Sequence, residues 1–247
     1  MKALLLAAGL GTRLGSLTAD TPKCLMDIAG EPIVLRLVRQ LHEAGVSEFL
    51  INTHYLAEQV EECVRNSPWS EAVELVHEPV LLGTAGSLRT HWRFFGGQAG
   101  VVLHADNFFE FSLAPLIAGF DARPAGIDMT MLVFEAEDPS SCGVVDLDER
   151  GTVVGFHEKV AAPPTNLASA ATMVVAPDII DDLMRLPEVP IDLSLHLIPA
   201  LLGRINVVRA GGPVIDIGSA ENLARARVLA STCARPAITG DGRGMTH

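Results

Sequence analysis

Short apolar runs alternate with helix-patterned stretches through the first half of this chain, and that alternation restricts the fold more than any other feature. Residues 3–8, 48–53, 73–77, 100–105 and 129–134 read as strands. Strands separated by helices are joined in parallel, so the expected class is α/β with a doubly wound, mostly parallel sheet. Between the first two strands, Pro32 suits a first helical turn. Ile33, Leu37 and Leu41 with Val34 and Val38 then form an apolar stripe that ends near Gly45. Further helices are expected at 56–65, 84–93 and 113–119.

Beyond residue 135 the pattern changes. Residues 143–147 and 152–157 flank the turn Asp148-Glu149-Arg150-Gly151 as an antiparallel hairpin does, so a small β-rich lobe should grow from the sheet. Helical patterns return at 177–185, 194–202 and 220–229, with strands at 205–209 and 214–217. At 247 residues, 49% of them hydrophobic, the chain is long enough for one full core. We expect a single domain over 1–230, in two parts of about 1–135 and 136–230, and a disordered tail over 231–247 rich in Gly, Thr and Pro. No internal repeat interrupts this.

A formal net charge of −12 argues against nucleic acid and anionic membrane as partners, because both need a basic face that releases counterions. Any phosphate ligand must therefore be held by a few local cations, backbone amides or a metal. Cys24, Cys63, Cys142 and Cys233 lie far apart without a C-x-x-C pair, which suits free thiols in a reducing compartment. The apolar run at 3–8 breaks at Gly9, short of the ~7–15 residues of a signal-peptide core. No run approaches the ~18 apolar residues of a membrane span, so a cytoplasmic location is expected.

The segment Leu6-Ala7-Ala8-Gly9-Leu10-Gly11-Thr12-Arg13-Leu14, followed by Thr21-Pro22-Lys23, carries the first functional signal. A glycine-rich turn leaving a strand lets backbone N–H groups approach a polyphosphate, with Arg13 and Lys23 as cations for the same anion. A G-x-G alone also describes any tight turn between strand and helix. Leu14 stands where a dinucleotide fingerprint needs its third glycine, and G-x-x-x-x-G-K-[ST] occurs nowhere.

Residues 7–14 with Pro22-Lys23 resemble the opening motif of the sugar-1-phosphate nucleotidyltransferase family. Further blocks follow in the family's order. Residues 82–88 resemble its base-recognition loop, Ala105-Asp106-Asn107 its first metal-binding aspartate, and Cys142-Gly143-Val144-Val145 its sugar-contacting strand. Gly155-Phe156-His157-Glu158-Lys159 resembles its G-F-x-E-K block, and residues 214–219 the block with the second metal ligand, Asp216. The resemblance implies a Rossmann-like nucleotidyltransferase fold whose β-rich lobe holds the sugar. It implies a nucleotide site at Leu6, Ala7, Ala8, Gly9, Gly11, Thr12, Arg13, Lys23, Gly83, Thr84 and Ala85. A sugar-phosphate site at Gly143, Glu158, Lys159 and Ser169, and Mg2+ on Asp106 and Asp216, complete the set, with Arg13, Lys23, Asp106 and Lys159 as catalytic groups. Three departures stand out: Ser169-Ala170-Ala171 where many members carry Asn-Ala-Gly or Asn-Gly-Ala, Cys24 where proline is common, and His104-Ala105 where glycine is frequent.

The implied reaction joins a sugar 1-phosphate to a nucleoside triphosphate. A phosphate monoester has its second pKa at about 6, so the nucleophile is already ionised near neutrality and needs no general base. The obstacle is repulsion between two anions, which calls for positioning and charge neutralisation. Arg13 suits forked contacts to two oxygens and Lys23 a point charge. Lys159 is the candidate for the sugar phosphate and Glu158 for sugar hydroxyls; as strand neighbours they reach one ligand only if the strand ends or bends there. His54, His77, His104 and His157 lack zinc-site spacing and read as packing or pairing residues, and Phe94-Phe95 and Phe108-Phe109 as core. Residues 82–88 look most like the loop of mannose-1-phosphate guanylyltransferases, which favours GTP and a mannose- or heptose-like sugar phosphate. Thymidylyl or uridylyl transfer to a glucose, muramate-type or cyclitol phosphate is the alternative, and a catalytically silent subunit of the same fold is a second; homo-oligomerisation is left open.

Overall fold

The computed structural model describes residues 1–233, the side chains of Thr12, Arg13, Ser16 and Cys233 excepted. Strand β1 (Lys2–Leu6) passes through the glycine turn and a small hairpin, β2 (Asp27–Ile28) and β3 (Glu31–Pro32), into α1 (Ile33–Glu43). There follow β4 (Glu48–Thr53), α2 (Ala57–Arg65), β5 (Val73–His77), α3 (Thr84–Thr90), β6 (Gly100–His104), β7 (Asn107–Phe109), α4 (Ala114–Asp121) and β8 (Met129–Glu135). The second half holds β9 (Gly143–Leu147), β10 (Val153–Glu158), β11 (Leu167–Val175), α5 (Ile180–Arg185), α6 (Ile198–Ala200), β12 (Ile205–Arg209), β13 (Val214–Asp216) and α7 (Ala220–Cys233).

One mixed sheet organises the chain in the order β5-β4-β1-β6-β11, and beyond β11 it forks into β9-β10 and β8-β12. The four strands β5, β4, β1 and β6 are parallel, as the alternating pattern predicts. Alternate residues of each strand enter opposite cores: Ala3 and Leu5, Phe49 and Ile51, Val101 and Leu103 pack on one side, and Leu4, Leu50 and Val102 on the other. Both faces are covered, which is why these strands read as nearly continuous apolar runs. Helix α1 lays the predicted stripe of Ile33, Val34, Leu37, Val38 and Leu41 on the sheet, although Pro32 stands just ahead of the helix rather than in its first turn.

Strand β11 is absent from the sequence reading, and it decides the architecture. It runs antiparallel to β6 through Thr172–Val175, to β9 at Ala168, and to β8 along both ends, with its register broken between Ser169 and Met173. It therefore stitches the β9–β10 hairpin, the expected small lobe, to the parallel half. The helix expected at 84–93 ends at Thr90 and continues as a 3-10 turn, Trp92–Phe95. That at 194–202 is a π turn, Leu193–Leu197, running into α6, where Pro199 has no N–H for the carbonyl four residues back. Of the expected tail, residues 231–233 extend α7 and 234–247 lie outside the described residues.

Leu4 is fully enclosed in the central strand between β4 and β6. Truncation there leaves a cavity that a packed sheet cannot collapse, so Leu4→Ala should lose about 2–5 kcal/mol of stability. Urea unfolding checks this: the midpoint should fall with little change in slope.

Candidate active site

The four parallel strands end level. Leu6 pairs with Asn52 on one side and His104 on the other, and Asn52 pairs with Val76, so the chain leaves the sheet at one rim. A cavity of about 300 Å³ opens there, which is where open α/β sheets take ligands. Of the residues expected on a nucleotide, Leu6, Ala7, Ala8, Gly9, Lys23, Gly83 and Thr84 line it. Gly11 sits in the loop with φ +66 and its carbonyl accepts bonds from Leu14 and Thr18, a conformation that costs a glycine least. Ala85 is buried and its N–H is committed to the Ile191 carbonyl. The side chains of Thr12 and Arg13 lie outside the described residues.

The loop over this cavity is held by the second half of the chain. Ile191 donates to Leu82 and accepts from Ala85 and Gly86, while Thr84 Oγ1 accepts from Leu193 N at 2.8 Å. Gly83, at φ +75, lies so close to the Ile191 backbone that any Cβ would overlap it.

Under the cavity runs a buried polar chain that the sequence reading missed. Asn52, 1% exposed, accepts from Ala7 N at 2.7 Å and donates through Nδ2 to Ser87 Oγ at 3.0 Å. Ser87 Oγ donates to Glu78 Oε2 at 2.9 Å, and Glu78 Oε1 pairs with His91 Nε2 at 3.1 Å. Burial pushes the Glu78 carboxyl up, yet the bonds from His91, Ser87 and Asn52 outweigh it and hold it below the usual carboxylate range. Asn52 and Glu78 both line the cavity. They follow the strand-end rule that singled out Asp106, and applying it to every parallel strand would have found them.

A second cavity of about 260 Å³ lies under the β9–β10 lobe and shares His104 and Asp106 with the first. It collects all four residues expected on a sugar phosphate: Gly143, Glu158, Lys159 and Ser169. The strand-alternation difficulty for Glu158 and Lys159 is resolved locally. Strand β10 ends at Glu158, Lys159 turns left-handed at φ +51, and its ammonium comes back to Glu158 Oε1 at 3.3 Å. A Cβ on Gly143 would overlap Phe156 Cζ and lie 2.6 Å from Glu158 Oε2, so glycine leaves both the ring and the carboxylate their places. The departing triplet Ser169-Ala170-Ala171 forms the break in β11: Ala171 sits at φ +46, its N–H donates to Ser169 Oγ, and the Ala170 carbonyl accepts from Asn107 Nδ2. His104, read as a packing residue, lines both cavities, whereas His157 pairs with Asp146 at 2.7 Å. Cys24 lines the first cavity with its thiol pushed up to about 12 by burial, and the thiol of Cys142 in the second is raised for the same reason.

Where the cavities meet, Asp106 and Asp216 converge from 110 positions apart in sequence. Strand β13 pairs antiparallel with β7, setting Asp216 opposite Asn107, and Ile217 N donates to the Asp106 carbonyl. Lys23 reaches both carboxylates: its ammonium lies 2.5 Å from Asp106 Oδ2 and 2.9 Å from Asp216 Oδ1. The sequence reading had aimed this lysine at phosphate alone.

Comparison with known proteins agrees with this architecture. The model of the nucleotidyl transferase family matches residues 2–227. The chain is 32% identical over 204 residues to the mannose-1-phosphate guanylyltransferase catalytic subunit beta of Drosophila pseudoobscura pseudoobscura, covering 81% of this chain and 54% of that protein. It thus spans about half the length of the curated relative it matches. Among solved structures, HddC from Yersinia pseudotuberculosis complexed with GMP-PN superposes with a TM-score of 0.76 at 26% identity, covering 92% of this chain and 98% of that one. A Bacillus anthracis structure named for glucose-1-phosphate thymidylyltransferase and holding sucrose superposes with a TM-score of 0.83 over 93% of this chain and 95% of that one; at 21% identity it speaks to fold alone. With the glycine loop, the G-F-x-E-K block and both aspartates at one sheet rim, and a family model spanning nearly the whole described chain, this protein belongs to the nucleotidyl transferase family.

Proposed function

We propose that this chain transfers a nucleotidyl group from a nucleoside triphosphate, GTP by preference, to a mannose- or heptose-like sugar 1-phosphate, releasing pyrophosphate and forming a nucleotide-activated sugar. The observation that carries this reading is the meeting of two cavities at a shared wall, His104 and Asp106, with both aspartates and Lys23 at the junction. A triphosphate in the first cavity and a sugar phosphate in the second would bring an attacking oxygen to the α-phosphorus. One oxygen–phosphorus bond then forms from the sugar phosphate while the bond between the α-phosphorus and its bridging oxygen breaks, and pyrophosphate leaves with that electron pair.

Each residue has a physical task in this scheme. The loop 7–11 offers backbone to the triphosphate, with Lys23 and Arg13 as its cations. Lys159, 60% exposed at the rim of the second cavity, suits the phosphate of the incoming sugar, and Glu158 suits its hydroxyls. Asp106 and Asp216 fit a magnesium ion. One ammonium already bonds an oxygen of each, so a single cation can be shared between them. Mg2+ commonly takes one or two carboxylates and completes its shell with phosphate oxygens and water. When bound, the ion supplies charge neutralisation between the two anions.

Base preference is supported by similarity rather than by Glu78, whose carboxylate lines the cavity but is 3% exposed with its two oxygens on Ser87 and His91. The guanylyltransferase relative and the structure complexed with GMP-PN both point to a guanine nucleotide.

Pyrophosphate release over a matrix of nucleoside triphosphates and sugar 1-phosphates tests the reading. GTP with a mannose- or heptose-type phosphate should lead, and turnover with no pair would overturn the proposal. Asp106→Asn and Asp216→Asn should each lower kcat on the order of 10²–10³-fold with unchanged thermal melts; near-normal rates in either would remove that residue from the centre. Lys159→Ala should raise KM for the sugar phosphate by about tenfold while KM for the triphosphate stays within about twofold, read from steady-state kinetics.

A further inference from the structure

Lys23 makes two commitments that conflict once the cofactor reading above is accepted, and this inference rests on that reading. Its side chain is 10% exposed and two of its three ammonium protons go to Asp106 and Asp216. Those are the oxygens a divalent cation would use. An ammonium and a divalent ion sharing them would stand in mutual contact, where like charges repel. Lys23 also lines the nucleotide cavity, so triphosphate oxygens lie within reach of the same side chain.

The root of the side chain is fixed. Leu25 N donates to the Pro22 carbonyl at 2.9 Å and Met26 N to that of Lys23 at 3.1 Å, and Cys24 beside it is buried. Only the four-carbon stem has to swing. The carboxylates do not depend on the lysine for their positions: Asp216 Oδ1 also accepts from Gly218 N at 2.8 Å and its carbonyl from Asn222 Nδ2, while the Asp106 backbone is tied to Ile217.

We propose that Lys23 is a built-in competitor for the metal site. Before nucleotide arrives it closes the aspartate pair against divalent cations; triphosphate draws the ammonium onto its own oxygens and opens the pair, so metal and nucleotide enter together. The device keeps two facing carboxylates neutralised in the resting protein and restricts tight metal binding to the complex that uses it.

Mn2+ binding to the full chain, followed by the electron paramagnetic resonance of the free ion, tests this without reference to turnover. Without nucleotide, Lys23→Met should bind Mn2+ about tenfold or more tightly than wild type, Lys23→Gln should shift the same way, and Lys23→Arg should bind no better than wild type. With a non-hydrolysable GTP analogue the gap between wild type and Lys23→Met should close. Adding Asp106→Asn to Lys23→Met should abolish the gain. Equal or weaker Mn2+ binding in both neutral variants, or a gain that survives Asp106→Asn, overturns the competition. Pyrophosphate release by wild type from the same preparation separates this outcome from failure of the enzymatic reading, since competition can fail while turnover persists.

Discussion

Two carboxylates facing each other at a cavity junction repel unless a cation lies between them, and much of this molecule is arranged around that requirement. Asp106 leaves the end of β6, and Asp216 is carried beside it only because β13 folds back antiparallel onto β7. Lys23 arrives from the other side, at the foot of the glycine loop, and bonds both. Three segments far apart in sequence are thereby joined by charge at one point. The antiparallel pairing holds the aspartates close, and the ammonium makes that closeness tolerable.

A second set of constraints lies beneath the first cavity. Buried polar groups cost stability unless they are paired, and the run Ala7, Asn52, Ser87, Glu78 and His91 pairs each member with the next. Its direction is set from one end: the Glu78 carboxylate accepts from Ser87, so the Ser87 oxygen is left to accept from Asn52, whose own oxygen is left for the Ala7 amide. The glycine loop and the helix that follows loop 82–84 are therefore held by one polarised network. At the second cavity the equivalent work falls to the left-handed turn at Lys159 and the break in β11, which place Glu158, Lys159 and Ser169 around one cavity.

Much of the parallel half was legible from the chain alone. Strands 48–53, 73–77 and 205–209 fall where apolar patterning puts them, because their side chains must fill two cores. Strand β11 was not. Leu-Ala-Ser-Ala-Ala-Thr-Met-Val-Val is rich in alanine, a weak strand former, and becomes a strand because β6, β8 and β9 all offer it hydrogen bonds. Asn52 and Glu78 were overlooked for a different reason: a polar residue at the end of a single strand is unremarkable until parallel pairing brings four such ends level.

Residue order by itself determined the α/β class, the glycine turn, the hairpin at 143–158 and the identity of the charged groups, since these depend on local patterning and on chemistry that travels with the side chain. Tertiary structure alone decided how those groups meet. It turned Lys23 toward two aspartates, brought Glu158 and Lys159 to one side of a strand that ends between them, and set His104 in the wall of both cavities. Contacts of this kind span from one to 193 positions. They arise from sheet register, from strand ends and from single left-handed residues, none of which a one-dimensional pattern encodes.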